Sequence, residues 1–211
     1  MDKLDYQEQS AWRYTTKERA QSPIDVTQSA IQKGEDWSVD WSGLGKTAVL
    51  KKKPVIGDQF FATGQLKVND RSYDLVRFHL HDGAEHYLFG KKAAAELHLV
   101  FQRPDGGTLV LAIFLEKDEA SALQLAPILN GEEAFVDLQD LLPKNIQKGW
   151  AYQGTLTTPP LKEDVAWLLV DAPLAVHQSD LAFLKKSYPD NHRKVQPLNG
   201  RAVIEHRLVE S

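Results

Sequence analysis

The 211-residue chain contains no cysteine. That excludes disulfides, thiolate metal sites, iron–sulfur ligation and thiol nucleophiles together. Thirteen glycines and ten prolines are too few for a low-complexity or collagen-like chain. Charge of one sign is lacking too. The 25 basic and 29 acidic residues leave a formal net charge of −4, against the strongly basic balance of a nucleic-acid binder. No window offers the roughly 18 charge-poor apolar residues of a membrane span, and residues 1–20 hold no apolar run of the signal-peptide kind. The expectation is a cytoplasmic protein without nucleic-acid or membrane partners, although a trimmed exported chain would look the same.

What is present is an ordinary globular supply of core formers, 42% apolar and 9% aromatic. Residues 1–20 are polar and without a clear period, and read as an arm over the surface; residues 21–211 read as one domain. Short apolar runs rich in β-branched or aromatic residues recur at Thr47–Leu50, Phe60–Val68, Tyr73–His81, Ala95–Phe101, Thr108–Leu115 and Val165–Val170, and their turn punctuation marks them as strands. Asn69-Asp70 and Gly106-Gly107 sit between such runs as hairpin turns. Thr108–Leu115 is almost wholly apolar, as in a strand buried on both faces. Ala120–Leu129 has a partial helical period interrupted by Pro127. Ser179–Tyr188 has a capping serine, an apolar face and a proline stop. Together these predict a mostly β domain with a large central sheet and a few short peripheral helices. The lysines at 51–53 read as a solvated face.

Four of the seven histidines fall within residues 79–98. His79 and His81 are two apart in a strand pattern, which puts both imidazoles on one face and Phe78 and Leu80 on the other. His98 lies in the next strand and joins them if the register is right. Three neutral imidazoles without thiolate or carboxylate suit zinc and leave a fourth position for water, the mark of a catalytic site. A rival reading uses His79-x-His81-x-x-x-Glu85 as the first half of a cupin iron or manganese motif. Tyr73 stands where that motif has glycine, and its second half is missing.

Gln21-Ser-Pro-Ile-Asp25, Phe78-His-Leu-His81, Glu85-His86, Ala95-Glu-Leu-His-Leu-Val100, Gly154-Thr-Leu-Thr-Thr-Pro-Pro160, Val165-Ala-Trp167 and Arg193–Arg201 occur in the order found in one family. From about residue 21 to 205 the chain resembles the α-class carbonic anhydrases of bacterial type. The resemblance implies a mainly antiparallel sheet of about ten strands, with Zn2+ on His79, His81 and His98 at the floor of a cleft. It implies reversible hydration of carbon dioxide to bicarbonate and a proton by a zinc-bound hydroxide. Thr157 matches the family's gatekeeper threonine and Glu85 the carboxylate behind it. Glu85 would accept the Thr157 proton, leaving that hydroxyl to accept from the hydroxide and turn its lone pair toward CO2. On their own, Thr157 and Thr158 would merely begin a turn. Val100, Val110, Leu156, Val165 and Trp167 would line a dry CO2 pocket, with Thr158 on its polar side. Glu96 matches the acid that holds one ligand imidazole through its other ring nitrogen. The alternative is a zinc-binding relative without activity, although such relatives lose a ligand histidine and all three are here.

Four departures from the family carry expectations. Arg77 stands where the family has a glutamine that accepts from the first ligand imidazole, and a guanidinium accepts nothing; His79 must find another partner. Pro54 falls near the position of the family's proton-relaying histidine, so proton export depends on buffer or on another group such as a nearby lysine. Ala20 and Leu161 replace the family's cysteine pair, leaving stability to packing or a homodimer. Ala11-Trp-Arg-Tyr14 shortens the N-terminal tryptophan segment, which opens one side of the cleft or leaves it to a partner subunit.

Overall fold

The computed structural model describes residues 4–12, 20–131 and 133–211. Thirteen strands join in one mixed sheet. In spatial order Ala95–Gln102 is followed by Thr108–Lys117, Val165–Val170, Lys148–Gly154, Val203–Glu210, Trp37–Asp40, Gln65–Val68 and Arg71–His81. The last pairs back onto the first, so these eight strands close into a barrel-like ring. Gln59–Phe61, Lys46–Lys52 and Glu133–Asp137 continue outward from Arg71–His81. Most pairings are antiparallel, as expected; Thr108–Lys117 with Val165–Val170 and Val203–Glu210 with Trp37–Asp40 are parallel. The strand number exceeds the ten or so implied by the resemblance, because short segments such as Ile31–Lys33 and Leu174–Val176 pair at the margins.

The alternation expected from the sequence divides the core in two. Leu97, Leu99, Phe101, Leu109, Leu111, Ile113, Leu168 and Val170 pack on one side of the sheet, while Val100, Val110, Ala112, Val165, Trp167 and Leu169 pack on the other. Every residue from Thr108 to Leu115 is buried, as a strand covered on both faces requires. The phase of Arg71–His81 is set by a bulge. Val100 faces Arg77 across the ladder but Phe101 faces Leu75, which leaves Val76 unpaired. Because side chains alternate with period two, one extra residue lets Tyr73 and Leu75 share a face with Phe78 and Leu80. Without it, Leu75 would lie on the histidine face.

The expected strand Phe60–Val68 is two strands, Gln59–Phe61 and Gln65–Val68, both against Arg71–His81. Four steps from Phe61 to Gln65 oppose three from Arg77 to Asp74, so the chain bulges through Ala62-Thr63-Gly64. The Asn69-Asp70 hairpin is present, with Asn69 at φ 51°. So is the Gly106 turn, its glycine at φ 93°.

Two helices differ from expectation in their starts. Pro127 does not interrupt a helix; it lies in the first turn of Ala126–Asn130, where its missing N–H and fixed φ are no handicap. The second helix is Gln178–Ser187, capped by His177, whose Nδ1 accepts from the Ser179 backbone N–H; Ser179 sits inside the helix. No described helix is long and apolar enough to cross a membrane.

Of the arm, residues 1–3 and 13–19 lie outside the described residues, Arg13 and Tyr14 among them. Leu4–Trp12 runs over the domain: Leu4 N donates to Val55 O at 2.8 Å and the Gln9 amide to His192 O at 3.2 Å. Trp12 is buried, edge-on to Tyr6 and beside the Arg193 guanidinium, so this part of the arm packs on the domain.

Candidate metal centre

The antiparallel pairing of Arg71–His81 with Ala95–Gln102 sets His98 directly across from His79, and Glu96 across from His81. All three imidazoles therefore emerge on one face, opposite Phe78 and Leu80. His98 Nδ1 lies 3.2 Å from His81 Nε2 and 3.4 Å from His79 Nε2. A tetrahedral zinc with bonds of 2.0–2.1 Å would have nitrogen–nitrogen edges of about 3.3 Å, so the donor set and its spacing fit that ion.

The far side of each ring decides which nitrogen is offered. His81 Nδ1 donates to Asn191 O at 2.6 Å, leaving the Nε2 lone pair for the site. Asn191 is itself clamped, accepting from Asp82 N at 2.8 Å and donating to Leu80 O at 2.9 Å. His98 Nε2 donates to Glu96 Oε1 at 2.7 Å, so Nδ1 is the free donor atom. Glu96 is buried and accepts three more bonds: His86 Nδ1 at 2.7 Å on Oε1, and backbone N–H groups of Glu85 and His86 at 2.7 and 2.9 Å on Oε2. Burial pushes its pKa up, but the charges of His86 and His98 and their hydrogen bonds outweigh that and hold the carboxyl well below its usual range. Burial, followed by the neighbouring imidazoles, pushes the His79 pKa well below its ordinary value; burial also lowers His81, against the opposing pull of Glu85. Neutral imidazoles are what a metal requires.

His79 is the exception foreseen for it. Its Nδ1 is buried without a hydrogen-bond partner, because Arg77 offers no acceptor and instead donates its own Nε to Gln59 Oε1 at 2.8 Å.

Val100, Val110, Leu156, Thr157, Thr158 and Trp167 line one cavity with His79, His98, Arg77 and Gln59. Val165 is buried in the same apolar cluster but behind that wall. Glu85 is buried, not a solvated loop acid, and its Oε1 accepts the Arg193 backbone N–H at 2.6 Å. The expected Thr157–Glu85 hydrogen bond is not formed among the described residues. Glu85 Oε2 lies instead 3.4 Å from His81 Nε2 and 4.0 Å from His98 Nδ1, drawn toward the imidazoles, and has no hydrogen-bond partner.

One further expectation is corrected. Lys51 is not a solvated lysine: its Nζ is 2.9 Å from Asp58 and donates to Leu129 O at 2.6 Å, whereas Lys52 and Lys53 are exposed. Tyr6 lines the cavity on the other side of His79 and His81 with Asp58, Tyr188 and Asn191.

The sequence reading gave no role to His86, Tyr152, Ser22 or Gln59. His86 joins Glu96 to Tyr152 Oη, 2.7 Å from its Nε2, and Tyr152 donates to Ser22 Oγ at 2.8 Å. Gly154 makes this possible, since a Cβ there would come within 2.1 Å of Ser22 Oγ. The signal available was a histidine directly after Glu85 in a run with no exposed pattern; Gln59 had none.

A family profile described as eukaryotic-type carbonic anhydrase matches residues 7–207. The chain belongs to the carbonic anhydrase family. A carbonic anhydrase of Nostoc sp. is 35% identical over 201 residues, covering 89% of this chain and 76% of that protein. Among solved carbonic anhydrases, the α-class protein of Photobacterium profundum superimposes with a TM-score of 0.77 at 26% identity, covering 89% and 90% of the two chains. The α-carbonic anhydrase of Thermovibrio ammonificans, solved with sulfanilamide, gives 0.76 at 28% identity over 88% and 87%. The cupin reading of His79, His81 and Glu85 falls with this membership, and the three-histidine metal site is the one typical of zinc carbonic anhydrases.

Proposed function

We propose that this carbonic anhydrase holds zinc on His79 Nε2, His81 Nε2 and His98 Nδ1 and hydrates carbon dioxide reversibly to bicarbonate and a proton. The observation that carries the reading is the convergence of these three nitrogens at zinc-like spacing, two of them fixed from behind by Asn191 O and Glu96. Zinc on three neutral imidazoles acts as a Lewis acid and, in this family, brings bound water to a pKa of about 7.

The chain's own residues then orient and exclude. Glu96 and Asn191 hold His98 and His81 in the tautomers that present lone pairs to the site. Glu85 Oε2 is a buried acceptor without a donor, and Thr157 lines the adjoining cavity. A turn of the Thr157 hydroxyl onto that oxygen would satisfy both and leave the threonine oxygen as an acceptor toward the reacting oxygen. Val100, Val110, Leu156 and Trp167 make the wall apolar, with Val165 packed behind it, so that CO2 replaces water there at little cost. Thr158 faces the cavity as the polar counterpart.

The test is reconstitution to one zinc per chain followed by stopped-flow CO2 hydration. Activity in proportion to bound zinc supports the proposal. Full occupancy without hydration would leave a zinc-binding relative that does not catalyse.

A further inference from the structure

Arg77 is placed oddly for a charged residue. It projects from the histidine face of its strand and is half-buried, yet its one hydrogen bond among the described residues goes to an amide, Gln59 Oε1. No described carboxylate pairs with it. A cation held partly out of water without a counter-ion is costly. It lines the same cavity as His79, His98, Thr157 and Thr158, and that lining contains no acidic side chain. The bond through Nε leaves the two terminal guanidinium nitrogens uncommitted. Gln59, itself buried, uses its carbonyl oxygen for Arg77, so its amide nitrogen is a second donor without a hydrogen-bond partner among the described residues.

We infer that Arg77 and Gln59 form an anion subsite beside the three-imidazole centre, built for a planar carboxylate-type oxoanion such as bicarbonate. A guanidinium end presents two parallel N–H groups that match the two oxygens of such an anion. The Gln59 amide adds a third donor, and the missing wall carboxylate removes the competitor that would otherwise occupy the fork. The arrangement exchanges an acceptor for His79 Nδ1, which is left bare, for a positive charge in the cavity. A lysine would keep that charge but not the fork. The subsite therefore favours retention of the bicarbonate product and inhibition by oxoanions.

The inference rests on the proposed metal site, and the experiment separates the two. Cobalt(II)-substituted protein is titrated with bicarbonate while its visible spectrum is recorded, for the parent chain, Arg77→Met and Arg77→Lys. Arg77→Met should raise the bicarbonate dissociation constant about tenfold or more, the loss of a charge-assisted bond. Arg77→Lys should fall between the two. An anion-free spectrum like the parent's shows that a variant's site is intact, and Arg77→Lys carries the test if the methionine variant does not fold. Equal bicarbonate affinity across the folded variants overturns the inference. A parent chain that gives no cobalt spectrum overturns the three-imidazole reading itself, and the inference with it.

Discussion

Glu96→Gln exchanges one oxygen for an amide nitrogen at a position with no solvent to absorb the change. Each carboxylate oxygen takes two N–H donors: Oε1 from His86 and His98, Oε2 from the backbone of Glu85 and His86. Whichever way the amide turns, its NH2 group confronts two donors, and two bonds to a charged acceptor are lost. Such bonds contribute about 1.5–3 kcal/mol each, so the apo protein should lose about 3–6 kcal/mol, a large part of a typical domain's margin of about 5–15 kcal/mol. If the NH2 group faces the rings, His98 can relieve the clash by moving its proton from Nε2 to Nδ1, the atom offered to the metal. Zinc affinity should fall 10–100-fold, the usual effect of losing such a partner. Urea unfolding of the apo protein measures the first quantity, and competition with a chromophoric chelator the second. A Glu96→Gln protein within about 0.5 kcal/mol of the parent, with unchanged zinc affinity, would refute the role assigned to this carboxylate.

Other expectations follow from the same geometry. Arg77→Gln supplies the acceptor that His79 Nδ1 lacks, so zinc should bind about 10–100-fold more tightly; a dissociation constant no lower than the parent's contradicts this. The lowered pKa values of His79 and His81 fix a sign for pH: the unfolded chain takes up protons near the ordinary value of about 6.5 and the folded one does not. Their contribution to apo stability is therefore present above about pH 6.5 and lost as pH falls below it, and zinc binding weakens in the same direction. Urea midpoints measured from pH 8 to 5 should decline, and a rising midpoint would reverse the argument. The cavity side with Tyr6, Asp58, Tyr188 and Asn191 has no histidine besides His79 and His81, and Lys51 is tied to Asp58. CO2 hydration should therefore rise several-fold as buffer is raised from about 5 to 50 mM, and a buffer-independent rate would reveal an internal relay.

His79 and His81 could be placed on one face from their spacing because strand period is a local property. That His98 stands opposite His79 depends on pairing register, which local sequence does not encode. The Val76 bulge lies outside such a reading for the same reason, although it decides that Leu75 and Phe78 share a face. Glu96 was legible only through the family resemblance; the strand period puts it on the face of His98 but does not say that it holds that ring. Gln59 gave no sign: its role comes from a strand 18 residues away whose arginine reaches it. Lys51 looked solvated because three lysines in a row have the composition of a surface, and only the fold brings Asp58 and the Leu129 carbonyl to it. At His177, the histidine nitrogen took the capping role that the sequence offered to Ser179.

The central claim is that three imidazoles on two adjacent strands make a zinc site that hydrates CO2. Stopped-flow CO2 hydration by metal-analysed parent and His98→Ala proteins, run side by side, tests it most directly. The account predicts a rate proportional to bound zinc in the parent, and loss of both zinc and activity in His98→Ala with the fold retained by circular dichroism. A parent fully loaded with zinc but inactive, or a His98→Ala protein as active as the parent, would contradict it.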